Sequence, residues 1–207
     1  MENKKNLFNL YAWKLKDVIL VSLLAVFFAI ICLSTVYFSI FLTPFLAPFG
    51  LGEMTIEFFF GIFFMVATFS PYILRKPGVA TITSTMTGVI QVFMGNPNAA
   101  TVVVSAFWQG LGSESAFLLN RYKKFNWATM LLAATGSMVF SFVLAWYRGI
   151  WAPLSLGFII TRFSIRLCSA LLFSGILSKL LADRLAKAGV LKSYPIGEKY
   201  LGSIDEE

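Results

Sequence analysis

The side chains able to do chemistry in this 207-residue chain are few, and most of them sit inside apolar stretches. Glu57, Gln91, Gln109, Glu114, Arg162 and Arg166 are polar groups at depths where burial is costly, and such groups usually face a bundle interior. There is no histidine, which removes imidazole bases, Ser-His-Asp triads and His-rich metal sites. Cys32 and Cys168 lie in separate apolar runs and read as small core residues, so neither a disulfide framework nor a metal site is expected. No cofactor is expected either, and the sequence carries no nucleotide-binding glycine loop. What remains is recognition chemistry: amides that donate and accept, carboxylates that meet cations, and the indole of Trp108. That indole either packs or stacks on a flat ring or a cation.

Elements that could position these groups follow from composition. Hydrophobic residues make up 58% of the chain and charged residues 13%, where a soluble domain is roughly a quarter charged. There is too little polar surface to cover a globule, so the expected fold is an all-α integral membrane protein in contact with the lipid bilayer. Uncharged runs of about 20 residues mark the spans. They predict helices over Val18 to about Phe41, Phe58 to Leu74, about Val79 to Met94, about Ala99 to Asn120, and about Phe125 to Tyr147. A sixth begins near Pro153 and continues toward Ala188. Thr43, Pro44, Pro48 and Gly50 break the first helix, Arg75-Lys76-Pro77-Gly78 is a basic tight turn, and Gly95-Asn96-Pro97-Asn98 is a second turn.

Six helices place both termini on one side. Lys4, Lys5, Lys14, Lys16, Arg75, Lys76, the Arg121-Lys123-Lys124 cluster and the basic residues from Lys179 to Lys199 all fall there, against Arg148 alone on the other. Arg162 and Arg166 lie inside the sixth helix. This asymmetry predicts a compact six-transmembrane-helix bundle with N and C termini cytoplasmic, multi-pass in the plasma membrane of a bacterium. The net charge of +7 is then a topology signal, and no nucleic-acid partner is expected. The expected divisions are a cytoplasmic segment over 1–17, the helical domain over 18–188 and a cytoplasmic tail over 189–207. Trp13 and Trp127 at inner ends, and Trp146 and Trp151 at outer ends, suit interfacial belts.

A rise of about 1.5 Å per residue puts Glu114 roughly 22 Å and Arg166 roughly 20 Å below the outer surface, close enough in depth to form an ion pair. The alternative is that Glu114 meets a ligand. Gln109 and Arg162 share a depth of roughly 14 Å. Glu57 is either a first-turn carboxylate favoured by the helix dipole or a group facing a cation, and Gln91 either lines a site or bridges helices. Asn96 and Asn98 read as turn residues. Ala25 and Ala29 at spacing four let helices approach, within the bundle or at a docking face for another subunit.

Several stretches together resemble the YkoE family: Trp13-Lys14-Leu15-Lys16-Asp17, Arg75-Lys76-Pro77-Gly78, Gly95-Asn96-Pro97, Gln109-Gly110-Leu111-Gly112-Ser113-Glu114 and Ile165-Arg166-Leu167. The similarity follows almost the whole chain in order. Members are substrate-binding S components of energy-coupling-factor vitamin transporters, associated with thiamine and its hydroxymethylpyrimidine precursor. The resemblance implies a six-helix bundle that captures ligand outside without hydrolysing ATP, associated with a transmembrane coupling protein and two cytoplasmic ATPase subunits. It implies docking to the coupling protein through Ala25 and Ala29, and an outward pocket drawn from Gln91, Trp108, Gln109, Glu114 and Glu57. Ser84 and Gln91 stand where the family pattern carries glutamates. A buried cation wants a carboxylate or aromatic faces, so an uncharged aminopyrimidine competes with thiamine as ligand. A secondary transporter using Glu114 and the two arginines as a relay, an S component for another small molecule, and a membrane enzyme are the alternatives.

Overall fold

The computed structural model describes residues 13–150 and 154–201, so the expectations placed on Trp151, Pro153 and the extreme termini lie outside the described residues. The chain forms α1 (Leu15–Leu46), α2 (Thr55–Leu74), α3 (Val79–Phe93), α4 (Ala100–Leu119), α5 (Trp127–Tyr147), α6 (Leu156–Lys187) and a short α7 (Pro195–Leu201). Five of these, α1, α2, α4, α5 and α6, are long and apolar enough to cross a bilayer. α3 is apolar but has 15 residues, about 22 Å of rise against a hydrocarbon core of about 30 Å. The exposed surface carries large apolar side chains such as Leu23, Phe27, Phe41, Phe45, Trp146 and Leu172, the outward face a multi-pass membrane protein presents to lipid.

α1 runs past Pro44, where the sequence predicts a break. A proline removes one amide donor, and in lipid the remaining backbone groups still favour helix over an open turn. The break comes instead through 3₁₀ turns at Ala47–Phe49 and Gly52–Met54, joined by Gly50 at φ 72°. The basic turn after α2 reverses the chain through Arg75 at φ 52° and Gly78 at φ 82°. α6 contains an eight-residue π-helical stretch, Ala170–Leu177, in its middle.

α2 is the axis of the bundle, packed against α1, α3, α5 and α6. Its seam with α6 is hydroxyl-rich: Ser169 Oγ accepts from the Gly61 amide at 2.9 Å and donates to the Phe58 carbonyl at 2.7 Å. Farther along, the Thr68 hydroxyl lies 2.8 Å from the Ser174 carbonyl and 2.9 Å from its hydroxyl. Gly61 is required here, because a Cβ would run into the Ser169 carbonyl. α4 and α5 approach equally closely where Gly112 meets Gly136. Small residues thus let backbones touch in an environment with no hydrophobic force between helices.

At the end where α1 begins, the Asp17 carboxylate accepts from the Lys14 amide at 2.8 Å and from Lys76 Nζ at 2.6 Å, tying the start of α1 to the α2–α3 turn. Asp183 accepts from Tyr72 Oη at 2.8 Å and from Lys179 at 2.5 Å. The segment following α6 is no loose tail: Leu191 and Ile196 are buried with Phe28, Phe69, Tyr72, Phe117 and Met130 in the main core. Tyr194 donates to the Lys16 carbonyl, and burial beside the Asp17 carboxylate pushes its phenol above the ordinary range. Packing therefore continues past residue 188, where the sequence suggests a boundary, because this stretch supplies apolar side chains that close the end of the bundle.

Ala25 and Ala29 are both fully buried, on the face of α1 that packs within the bundle together with Val21, Phe28 and Cys32. Of the two roles their spacing allows, the pair takes packing within the bundle here, and the exposed face of α1 carries Leu23, Phe27, Ile30 and Phe38.

Candidate substrate-binding site

A cavity of about 530 Å³ opens among α1, α2, α3 and α4, with Arg148 and Ile150 beyond the end of α5 on its wall. Each helix brings a polar stripe. α3 contributes Ser84, Thr87 and Gln91, at spacings of three and four, and α4 contributes Thr101, Ser105 and Gln109, each four residues apart. α1 adds Ser39 and Thr43, and α2 supplies the apolar wall through Ile56, Phe60 and Phe63.

The two glutamines differ in how they are held. Gln91 is oriented from outside the cavity: its Oε1 accepts from Asn96 Nδ2 at 3.0 Å, and Asn96 is in turn fixed by accepting from the Asn98 amide at 2.8 Å. Asn96 is thus a turn residue, as the sequence suggests, and also the group that aims Gln91. Gln109 is 6% exposed and lines the cavity, and among the described residues its side-chain amide has no hydrogen-bond partner. Its backbone carbonyl is occupied by the Ser137 hydroxyl at 2.9 Å, so the helix is anchored while the amide stays open. An amide that faces a cavity rather than a protein partner is available to donate to and accept from a bound molecule.

The remaining expected site residues fall elsewhere. Glu114 lies five residues beyond Gln109, about 7.5 Å farther along α4. Its carboxylate accepts from the Gly78 amide at 2.6 Å and the Thr81 amide at 3.2 Å, capping the first turn of α3, whose own Ncap position is a glycine with no side chain to do so. The ion pair expected between Glu114 and Arg166 is therefore corrected. Equal depth on two helices does not bring residues together when α2 stands between. Arg166 instead grips Glu57, with Nε to Oε2 at 2.5 Å and Nη2 to Oε1 at 2.8 Å, and its guanidinium lies 3.8 Å from the Phe60 ring centroid. Glu57 is 1% exposed, so the solvated first-turn carboxylate is also corrected, and this arginine occupies the place a ligand cation would take. Arg162 reaches the Glu53 carboxylate at 3.0 Å and lies 3.9 Å from Glu57.

Trp108 is 39% exposed, points away from the cavity, and packs against Phe140 with ring centroids 5.9 Å apart. One residue is about 100° around a helix, which turns Trp108 out where Gln109 turns in, and the proposed stacking on ligand is corrected on that ground.

Removal of the Glu114 carboxylate tests its capping role. Glu114→Ala is expected to lower stability by about 1–3 kcal/mol, since two buried donors lose their acceptor, while ligand affinity in the folded fraction changes less than about twofold. Thermal unfolding and binding measured on the same preparation separate the two effects.

A concave, partly polar cavity with an aromatic wall, set among apolar helices, is the kind of site that takes a small molecule. A solved structure described as an S-component of an ECF transporter superposes on the chain with a TM-score of 0.87 at 31% identity, covering 94% of this chain and 96% of that one. The class is thus an energy-coupling-factor S component. Residues 16–140 match the family described as ABC-type cobalt transport system, permease component. The chain is 32% identical over 188 residues, 91% of its length and 92% of the relative's, to YkoE of Bacillus subtilis (strain 168), provisionally named an HMP/thiamine permease protein. The chain belongs to this permease family and is a YkoE-like S component within it. These relatives are transport proteins and not enzymes.

Proposed function

We propose that the chain is the substrate-binding subunit of an energy-coupling-factor importer that takes up thiamine or its hydroxymethylpyrimidine precursor. In this reading α3 completes a six-helix membrane bundle, both termini are cytoplasmic, and the cavity opens outward near the Gly95-Asn96-Pro97-Asn98 turn. A transmembrane coupling protein and two cytoplasmic ATPases supply the energy for inward delivery. The observation that carries the reading is the open, buried amide of Gln109 facing a cavity whose other polar groups are hydroxyls and amides.

Between the two ligands, the lining favours the pyrimidine. Among the described lining residues there is no carboxylate, and the nearest buried one on α2, Glu57, is already neutralised by Arg166. An aminopyrimidine needs paired donors and acceptors, which Gln91, Gln109 and the serine and threonine hydroxyls provide. The thiazolium of thiamine would find only the faces of Phe60 and Phe63 as compensation.

The reading is tested by reconstituting the purified chain in liposomes with radiolabelled hydroxymethylpyrimidine. Saturable binding without accumulation is expected, and accumulation only when coupling and ATPase subunits are added with ATP. ATP-dependent accumulation by the chain alone contradicts it.

A further inference from the structure

Arg148 is a charged group standing alone in this cavity: of the described residues that line it, no other carries a charge. It is exposed, and its guanidinium has no hydrogen-bond or ion-pair partner among the described residues. It follows the last turn of α5, where the helix's terminal carbonyls favour a cation. In the six-helix topology of the reading above, on which this inference rests, it is also the one basic residue on the outer side, against the charge bias that sets orientation. The two carboxylates next in sequence to the lining, Glu53 beside Gly52 and Glu57 beside Ile56, are drawn off by Arg162 at 3.0 Å and by Arg166 at 2.5 and 2.8 Å. Size adds a second argument. About 530 Å³ is room for a drug-sized molecule, far more than a single substituted pyrimidine fills.

The geometry points to an anion-accepting subsite at Arg148, so that the site takes a neutral heteroaromatic ring against Gln91 and Gln109 and an anionic substituent at its rim. A guanidinium offers a planar fork of donors that matches phosphate oxygens, and it repels a cation placed at the same position.

Calorimetry on the full chain in nanodiscs at low salt, with hydroxymethylpyrimidine, its phosphate monoester and thiamine as probes, tests this. The monoester is expected to bind about tenfold or more tightly than the neutral pyrimidine, with that advantage shrinking in high salt. Arg148→Gln is expected to bring the two within about twofold. A monoester that binds no tighter than the neutral pyrimidine, or an advantage that survives Arg148→Gln, overturns the inference while leaving the binding reading intact. If none of the three probes binds, that reading and this one fall together.

Discussion

Arg166→Met is expected to destabilise the chain by about 3–5 kcal/mol at the α2–α6 seam. The substitution leaves Glu57, 1% exposed, as a buried carboxylate whose two-pronged partner is gone. The guanidinium also covers the Phe60 ring at 3.8 Å and donates to Ser141 at 3.1 Å, so packing and a link to α5 go with it. The double variant Glu57→Leu/Arg166→Met removes both charges and is expected to recover most of the loss, because an apolar pair of similar volume has no desolvation penalty to offset. Arg162→Met is expected to cost about 1 kcal/mol or less through its Glu53 pair, since the Glu53 side chain is 79% exposed and its charge is stabilised by water. Thermal unfolding of the four proteins in one detergent reads the order. If the double variant is as unstable as Arg166→Met, the pair is not what holds this seam.

Gln109→Leu is expected to weaken ligand binding by about 5- to 150-fold at unchanged fold. The range corresponds to the roughly 1–3 kcal/mol lost when a buried ligand polar group is left without its partner. Leucine nearly preserves the volume and removes only the amide, and the Ser137 bond to the residue 109 carbonyl survives because it uses the backbone. Gln91→Leu is expected to lose affinity too, with a small stability cost because Asn96 forfeits its acceptor. Trp108→Phe is expected to change affinity by less than about twofold, its ring lying on the far side of α4 against Phe140. Titration by calorimetry, with secondary structure checked by circular dichroism, separates lost recognition from lost fold.

The helices were legible in the sequence wherever charge marked their ends. Arg75-Lys76-Pro77-Gly78 and Gly95-Asn96-Pro97-Asn98 lie between helices in the structure as the sequence predicts. Pro44 misled because a proline in a long apolar helix removes one hydrogen bond without unwinding the turns around it. Gln91 and Gln109 stood out as costly groups and do line the cavity. The rest of the lining did not stand out, because serine and threonine are cheap to bury and bond to their own helix, as Thr87 does to the Thr83 carbonyl at 2.8 Å. The repeating stripes Ser84-Thr87-Gln91 and Thr101-Ser105-Gln109 were the available signal.

Pairing was the part that depth alone could not supply. Glu53 and Glu57 are four residues apart, as are Arg162 and Arg166, and this matched spacing was a better guide than a shared depth. Glu114 drew attention as a buried charge, yet its environment is the backbone amides at the start of α3, which no sequence pattern in α4 reveals.

Binding of hydroxymethylpyrimidine to the purified chain, compared between Gln109→Leu and Glu114→Gln at equal folded fraction, tests the central assignment most directly. The cavity assignment predicts that Gln109→Leu loses most of its affinity while Glu114→Gln keeps it within about threefold, because glutamine still offers an acceptor to the α3 amides. Full affinity in Gln109→Leu together with lost binding in a stable Glu114→Gln would contradict it.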